Sequence, residues 1–124
     1  MVYCTGFHRV TLSSFNLTNA IKRIDLPDKG TYQTLSVLCD MKRRSPTVPE
    51  RREIVDFDDA GRFAGLLIKS GIDAVMVNTN EAAYGGNVED VRKVFSAVRR
   101  IKPSDPTPIV AKDIIVHPIQ VLLI

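Results

Sequence analysis

The chain has 124 residues, 44% hydrophobic and 25% charged, a composition that fits one globular domain and excludes a disordered one. No apolar run approaches the roughly 18 to 20 residues that a membrane span requires, so no membrane partner is expected. The net charge of +3 is spread out: Arg43, Arg44, Arg51 and Arg52 alternate with Glu50 and Glu53, and Arg99, Arg100 and Lys102 sit at an expected helix end, which argues against a nucleic-acid footprint.

In chain order, residues 1–30 read as a leader followed by a short helix. No acid precedes Asp25, whereas Arg9, Lys22, Arg23 and several Ser and Thr occur, a bias found in organelle transit peptides and also compatible with a short irregular terminus. Ser13 or Ser14 caps a helix through Phe15, Leu17, Ala20, Ile21 and Ile24, and Pro27-Asp28-Lys29-Gly30 forms a turn. Strand one is expected from Leu35 to Cys39, stopping at Asp40 and Lys42, with a long polar loop from Lys42 to Asp56. Asp58 and Asp59 open a helix whose Phe63, Ala64, Leu66, Leu67 and Ile68 face a sheet and whose end is marked by Gly71. Strand two, Ala74 to Val77, ends at Asn78-Thr79-Asn80-Glu81. A Tyr84-Gly85-Gly86-Asn87 loop leads to a helix from Val88 to Arg100, with Val91, Val94, Phe95 and Val98 on its apolar side. Strand three, Pro108 to Ala111, ends at Lys112-Asp113. Two successive β–α–β spacings predict parallel, right-handed crossovers and an α/β fold.

The two cysteines, Cys4 and Cys39, offer neither a disulfide framework nor zinc spacing, and Cys39 is read as a small core residue. His117, before Pro118, is read as a surface histidine. The final Val121-Leu122-Leu123-Ile124 has the character of a buried strand, yet no crossover fits between it and strand three.

In a parallel α/β sheet ligands sit at the carboxyl ends of strands, and three expected strands here end in polar groups. Those residues also carry a family likeness. Asp40-x-Lys42-x-x-Ser45-Pro46, Thr79-x-Glu81 with Tyr84-x-Gly86, and Lys112-Asp113 with Gln120 resemble, in order and spacing, the first half of indole-3-glycerol-phosphate synthase. The likeness runs from about Phe15 to Gln120. It implies a partial (β/α)8 TIM barrel over residues 31–124, with about three to four parallel strands and helices on one face. A whole barrel needs about 250 residues, so the chain is expected to be a truncated or shortened form.

The resemblance further implies a lyase of tryptophan biosynthesis. It closes the indole pyrrole ring of carboxyphenylamino-deoxyribulose phosphate with loss of carbon dioxide and water, using no metal or organic cofactor. On this reading Lys112 is the general acid at the sugar carbonyl and Lys42 meets the substrate carboxylate. Asp40 stands where the family has a glutamate that holds that lysine. Arg44 and the Ser45-Pro46 turn line the substrate site, and Tyr84 packs on the substrate ring. Asn78, Asn80 and Ile114 depart from the family's leucine, acid and phenylalanine. The family's remaining acids, its asparagine and its phosphate loops lie on later strands. A plastid location is implied for a plant protein, a cytoplasmic one otherwise.

Plainer readings stand beside these. A lysine at a strand end is by default solvated, Asp40 and Lys42 form a local surface pair, Tyr84 packs, and Asp113 is structural. Other functions are a non-catalytic homologue that binds a partner, and a different phosphate-binding barrel. An uncovered sheet edge in a part-barrel predicts self-association.

Overall fold

The computed structural model describes residues 17, 36–48, 50 and 53–122. Three strands, β1 (Leu38–Met41), β2 (Ala74–Asn78) and β3 (Ile109–Lys112), pair in parallel in the order β1-β2-β3. Such pairing needs a crossover between neighbours. The helix α1 (Ala60–Lys69) lies between β1 and β2, and between β2 and β3 come the one-turn helix α2 (Glu81–Tyr84) and α3 (Val88–Ile101). This is the α/β arrangement with parallel strands that the sequence predicts, and it is the pattern of a partial TIM barrel.

Residue alternation and register divide the sheet into two faces. Leu38 pairs with Ala74, Asp40 with Met76 and Asn78 with Lys112, so Asp40, Met76, Asn78, Val110 and Lys112 share one face. Cys39, Met41, Val75, Val77 and Ile109 share the other. There Met41, Val75 and Val77 meet Ala60, Ala64 and Ile68 of α1 and Val94 and Val98 of α3 in a single core, with Cys39 and Ile109 partly buried against it. Helices therefore cover one face, and the polar residues stand on the opposite one.

Local chemistry explains the helix ends. Asp59 caps α1 by accepting the Arg62 N–H, and Gly71 follows the last turn with φ +87°, a left-handed conformation that glycine adopts without strain. Asn87 and Asp90 form a reciprocal capping box at the start of α3. α1 and α3 pack directly on each other. A Cβ on Gly61 would lie 2.8 Å from the Lys93 carbonyl oxygen, so that approach depends on glycine.

Several expectations shift. Strand one begins later than Leu35–Cys39, because its pairing with β2 starts at Leu38 and continues through Asp40 and Met41. Asp40 is tolerated inside a strand because its side chain finds cationic and amide partners. Leu66 and Phe95 are exposed at 58% and 43%, whereas Ala97 is buried on α3. The small residue lets the helices close, and Phe95 instead stacks under the Arg99 guanidinium. Val121 belongs to a 3₁₀ turn (Pro118–Leu122), not to a buried strand. Cys4, the expected N-terminal helix apart from Leu17, and Leu123 and Ile124 lie outside the described residues.

Candidate active site at the strand ends

Asp40 is the third residue of β1, Asn78 closes β2 and Lys112 closes β3. Parallel register puts all three at the carboxyl ends of adjacent strands on the face away from the helices. The Asp40 carboxylate is their common partner. Its Oδ1 accepts the Asn78 amide at 2.6 Å, and its Oδ2 accepts the Lys112 ammonium at 3.0 Å. Lys42, just past β1, brings its own ammonium to 3.5 Å from the same Oδ2. Both lysines thus converge on one oxygen of one acid.

Partial burial pushes the Asp40 carboxyl up. Hydrogen bonds from Lys112 and Asn78, with the charges of Lys112 and Lys42, outweigh that and hold it below its ordinary 3.8. The acid is therefore ionised at neutral pH, and the cluster of two ammoniums and one carboxylate carries a net positive charge. An anion or a polarised carbonyl is the kind of group such a cluster receives.

Tyr84 reaches the same place by another route. The Lys112 ammonium lies 5.7 Å from the centroid of its ring, within cation–π range. α2, which carries Tyr84, exists because Asn80 accepts the Ala83 N–H at its start and Gly85 ends it with φ +70°. The sequence predicts a loop from Tyr84 to Asn87 and no helix before it; four residues are too few for periodicity to reveal one.

The other anticipated residues are less central. The Ser45 hydroxyl is buried and pairs with Thr47 at 2.8 Å inside its own turn, and Pro46 is exposed in that turn. Arg44 forms an isolated antiparallel bridge with Glu53, and its Nε is buried without a hydrogen-bond partner. Its flank rests against Gly85, where a Cβ would sit 3.0 Å from that Nε. Asp113 joins β2 to β3 by accepting the Thr79 hydroxyl at 2.9 Å and the Asn80 amide at 3.0 Å. Burial pushes its carboxyl up, but the Asn80, Ile114 N–H and Thr79 hydrogen bonds bring it below its usual value. Gln120 accepts the Val116 and His117 N–H groups and closes the last turn. His117 is exposed, and its Nδ1 accepts the Ile119 N–H.

Sequence reasoning missed the frame behind the site. Arg43 makes a two-pronged ion pair with the buried Asp90, at 2.6 and 3.1 Å, and also donates to the Gly85 and Phe57 carbonyls. Its guanidinium lies 4.1 Å from the centroid of Phe57, which stacks on Phe63. Within a run of interleaved charges nothing distinguished Arg43 from its neighbours; only its reach to Asp90, 47 residues away, does so. A cavity of about 600 Å³ lies elsewhere, in the outer groove between α1 and α3 lined by Arg62, Lys69, Lys93 and Ser96.

No family model matches the chain. It is 33% identical over 89 residues to the indole-3-glycerol phosphate synthase of Opitutus terrae, covering 71% of this chain and 31% of that protein. It is 29% identical over 101 residues to the enzyme of the same name from Petrotoga mobilis, covering 81% and 36%. With the one from Parafrankia sp. the identity is 33% over 88 residues, covering 71% and 29%. The chain spans about a third of the length of the curated relatives it matches.

Proposed function

The chain is related to the indole-3-glycerol phosphate synthases over most of its length, and from that premise we propose that it carries the lysine-bearing part of a ring-closing carboxy-lyase site. The substrate class is a small phosphorylated one, carboxyphenylamino-deoxyribulose phosphate. The supporting observation is the convergence of Lys112 and Lys42 on Asp40 at adjacent strand ends.

The chemistry runs as follows. The aryl carbon that bears the carboxylate attacks the sugar carbonyl carbon. As that bond forms, electron density moves to the carbonyl oxygen, and Lys112 delivers the proton that makes it a hydroxyl. The carboxylate leaves as carbon dioxide, returning its electron pair to the ring. Loss of the hydroxyl as water, with a proton from the neighbouring methylene that joins that carbon to the nitrogen, then gives the indole. Lys42 pairs with the carboxylate while it is still attached and holds the aryl carbon over the carbonyl. Asp40 holds both ammoniums near each other, and Tyr84 offers a flat wall beside Lys112.

These 124 residues alone are expected to turn over negligibly, because they span only about a third of the relatives' length. Two measurements test the reading. Incubation with the ribulose phosphate, followed by indole fluorescence, is expected to show no turnover at an enzyme's ordinary pace. Titration of the same compound into labelled protein is expected to shift the amide signals of Lys42, Asn80 and Lys112. Shifts confined to the outer α1–α3 groove, or none at all, would sink the proposal.

One observation favours a second reading, a non-catalytic homologue that binds a partner. Directly after Lys112-Asp113, Ile114, Ile115 and Val116 are exposed at 51%, 50% and 84%. The substrate titration separates the two, since shifts at the lysines on adding the ribulose phosphate leave this second reading without support.

A further inference from the structure

Asn78 is 1% exposed, and its amide nitrogen uses both hydrogens, one to Asp40 Oδ1 at 2.6 Å and one to the Met41 carbonyl at 2.9 Å. Turning the amide over would point its oxygen at a carboxylate and a carbonyl, both acceptors, so its neighbours dictate the orientation. In that orientation Asn78 Oδ1 is buried with no hydrogen-bond partner. An unpaired buried acceptor destabilises the fold, and an apolar side chain of similar size would avoid the penalty. The residue is therefore poorly explained as packing.

Its effect falls on Asp40. With Oδ1 occupied by the amide, Oδ2 is left to accept from Lys112 and to face Lys42. An aspartate side chain is short and turns freely about its last bond. Only when one oxygen is anchored does the other keep a fixed place between two ammoniums. We infer that Asn78 is a positioning residue: it anchors one oxygen of Asp40 so that the other holds Lys42 and Lys112 side by side. The role rests on the proposed part of those lysines in substrate handling. Among the described residues, the charged groups around Asp40 are Lys42 from the following segment and Lys112 from β3, while Asp113 is engaged with Thr79 and Asn80.

The test reads the carboxyl carbon of residue 40 by NMR as a function of pH, in the full chain and without substrate. In Asn78→Leu the Asp40 midpoint is expected to move up, toward the ordinary carboxylate range, because a donor to the charged form is lost and Oδ2 is no longer aimed at the lysines. Asp40→Glu, one methylene longer, reaches the lysines unaided. Adding Asn78→Leu to Asp40→Glu is therefore expected to move the carboxyl midpoint less than Asn78→Leu does alone. An unmoved Asp40 midpoint in Asn78→Leu, or equal shifts in the two backgrounds, overturns the inference. Should the leucine variant not fold, Asn78→Ser, whose hydroxyl is too short to span both acceptors, carries the same comparison. No turnover is read, so failure of the ring-closing proposal and failure of this one are told apart.

Discussion

Asp40 joins two cations that lie far apart in sequence, and acid is the condition that undoes the pairing. Its folded carboxyl lies below the ordinary 3.8, so it contributes stability that is fully present above that value and is lost as pH falls through the folded value. At 24% side-chain exposure the contribution is that of a partly screened pair, about 1 kcal/mol or less. Urea unfolding of the parent and of Asp40→Asn should therefore differ by a constant small amount above about pH 5 and converge toward pH 2. A difference that grows on acidification would contradict the assignment. Lys112→Met tests the same cluster from the other side. It should leave unfolding nearly unchanged while abolishing the substrate-induced shifts at Lys42, since a partly exposed ammonium adds little to folding and much to an anion site.

At the scale of elements, the site depends on how the turn between α2 and α3 packs on the end of β2. A Cβ on Gly86 would fall 1.9 Å from the Asn78 carbonyl oxygen, closer than atoms can approach. Gly86→Ala must push that turn off the end of β2, and Asn78 with it. The expected loss is about 3 kcal/mol, at the upper end of overpacking effects, visible as a lower urea midpoint. The Arg43–Asp90 pair fastens the segment after β1 to the first turn of α3. Asp90 has 5% side-chain exposure, so Arg43→Ala leaves a buried carboxylate without its cation and should cost about 3 to 5 kcal/mol. Replacing both partners, as Arg43→Met with Asp90→Leu, should recover part of that loss. Recovery of none would mean that the cost lies in what the double variant also removes, the Arg43 contacts to the Phe57 and Gly85 carbonyls and the Asp90 half of the capping box.

For the molecule as a whole, the division of labour between faces has a consequence at the C-terminal side. The helices bury one face of the sheet, whereas Ile114, Ile115, Val116, Ile119 and Val121 are all at least half exposed after β3. Apolar surface of that density favours association. The chain is expected to sediment with a concentration-dependent mass, and Val116→Lys should shift it toward the monomer without altering the titration of Asp40. A concentration-independent monomer would refute this.

Much of this architecture was legible beforehand. Short apolar runs ending in charges marked each strand to within three residues, and their spacing through helical segments implied parallel neighbours. Asp40, Lys42 and Lys112 could be nominated because a strand's last residues must lie at one edge of a parallel sheet. Tyr84 came from resemblance alone. The missing pieces share one cause: Asn78 and Asp90 matter through partners 38 and 47 positions away, and nothing local distinguishes a clamped amide from a solvated one. Leu66 and Phe95 were misplaced for a related reason, since periodicity assigns a helix face but not how closely the next helix approaches. The sequence by itself determined the parallel α/β class and the polar strand ends, because those follow from short apolar runs, helix caps and crossover length. Only the tertiary structure decided that one carboxylate oxygen serves both lysines, because that depends on side-chain reach across three strands and on a buried amide that turns the acid toward them.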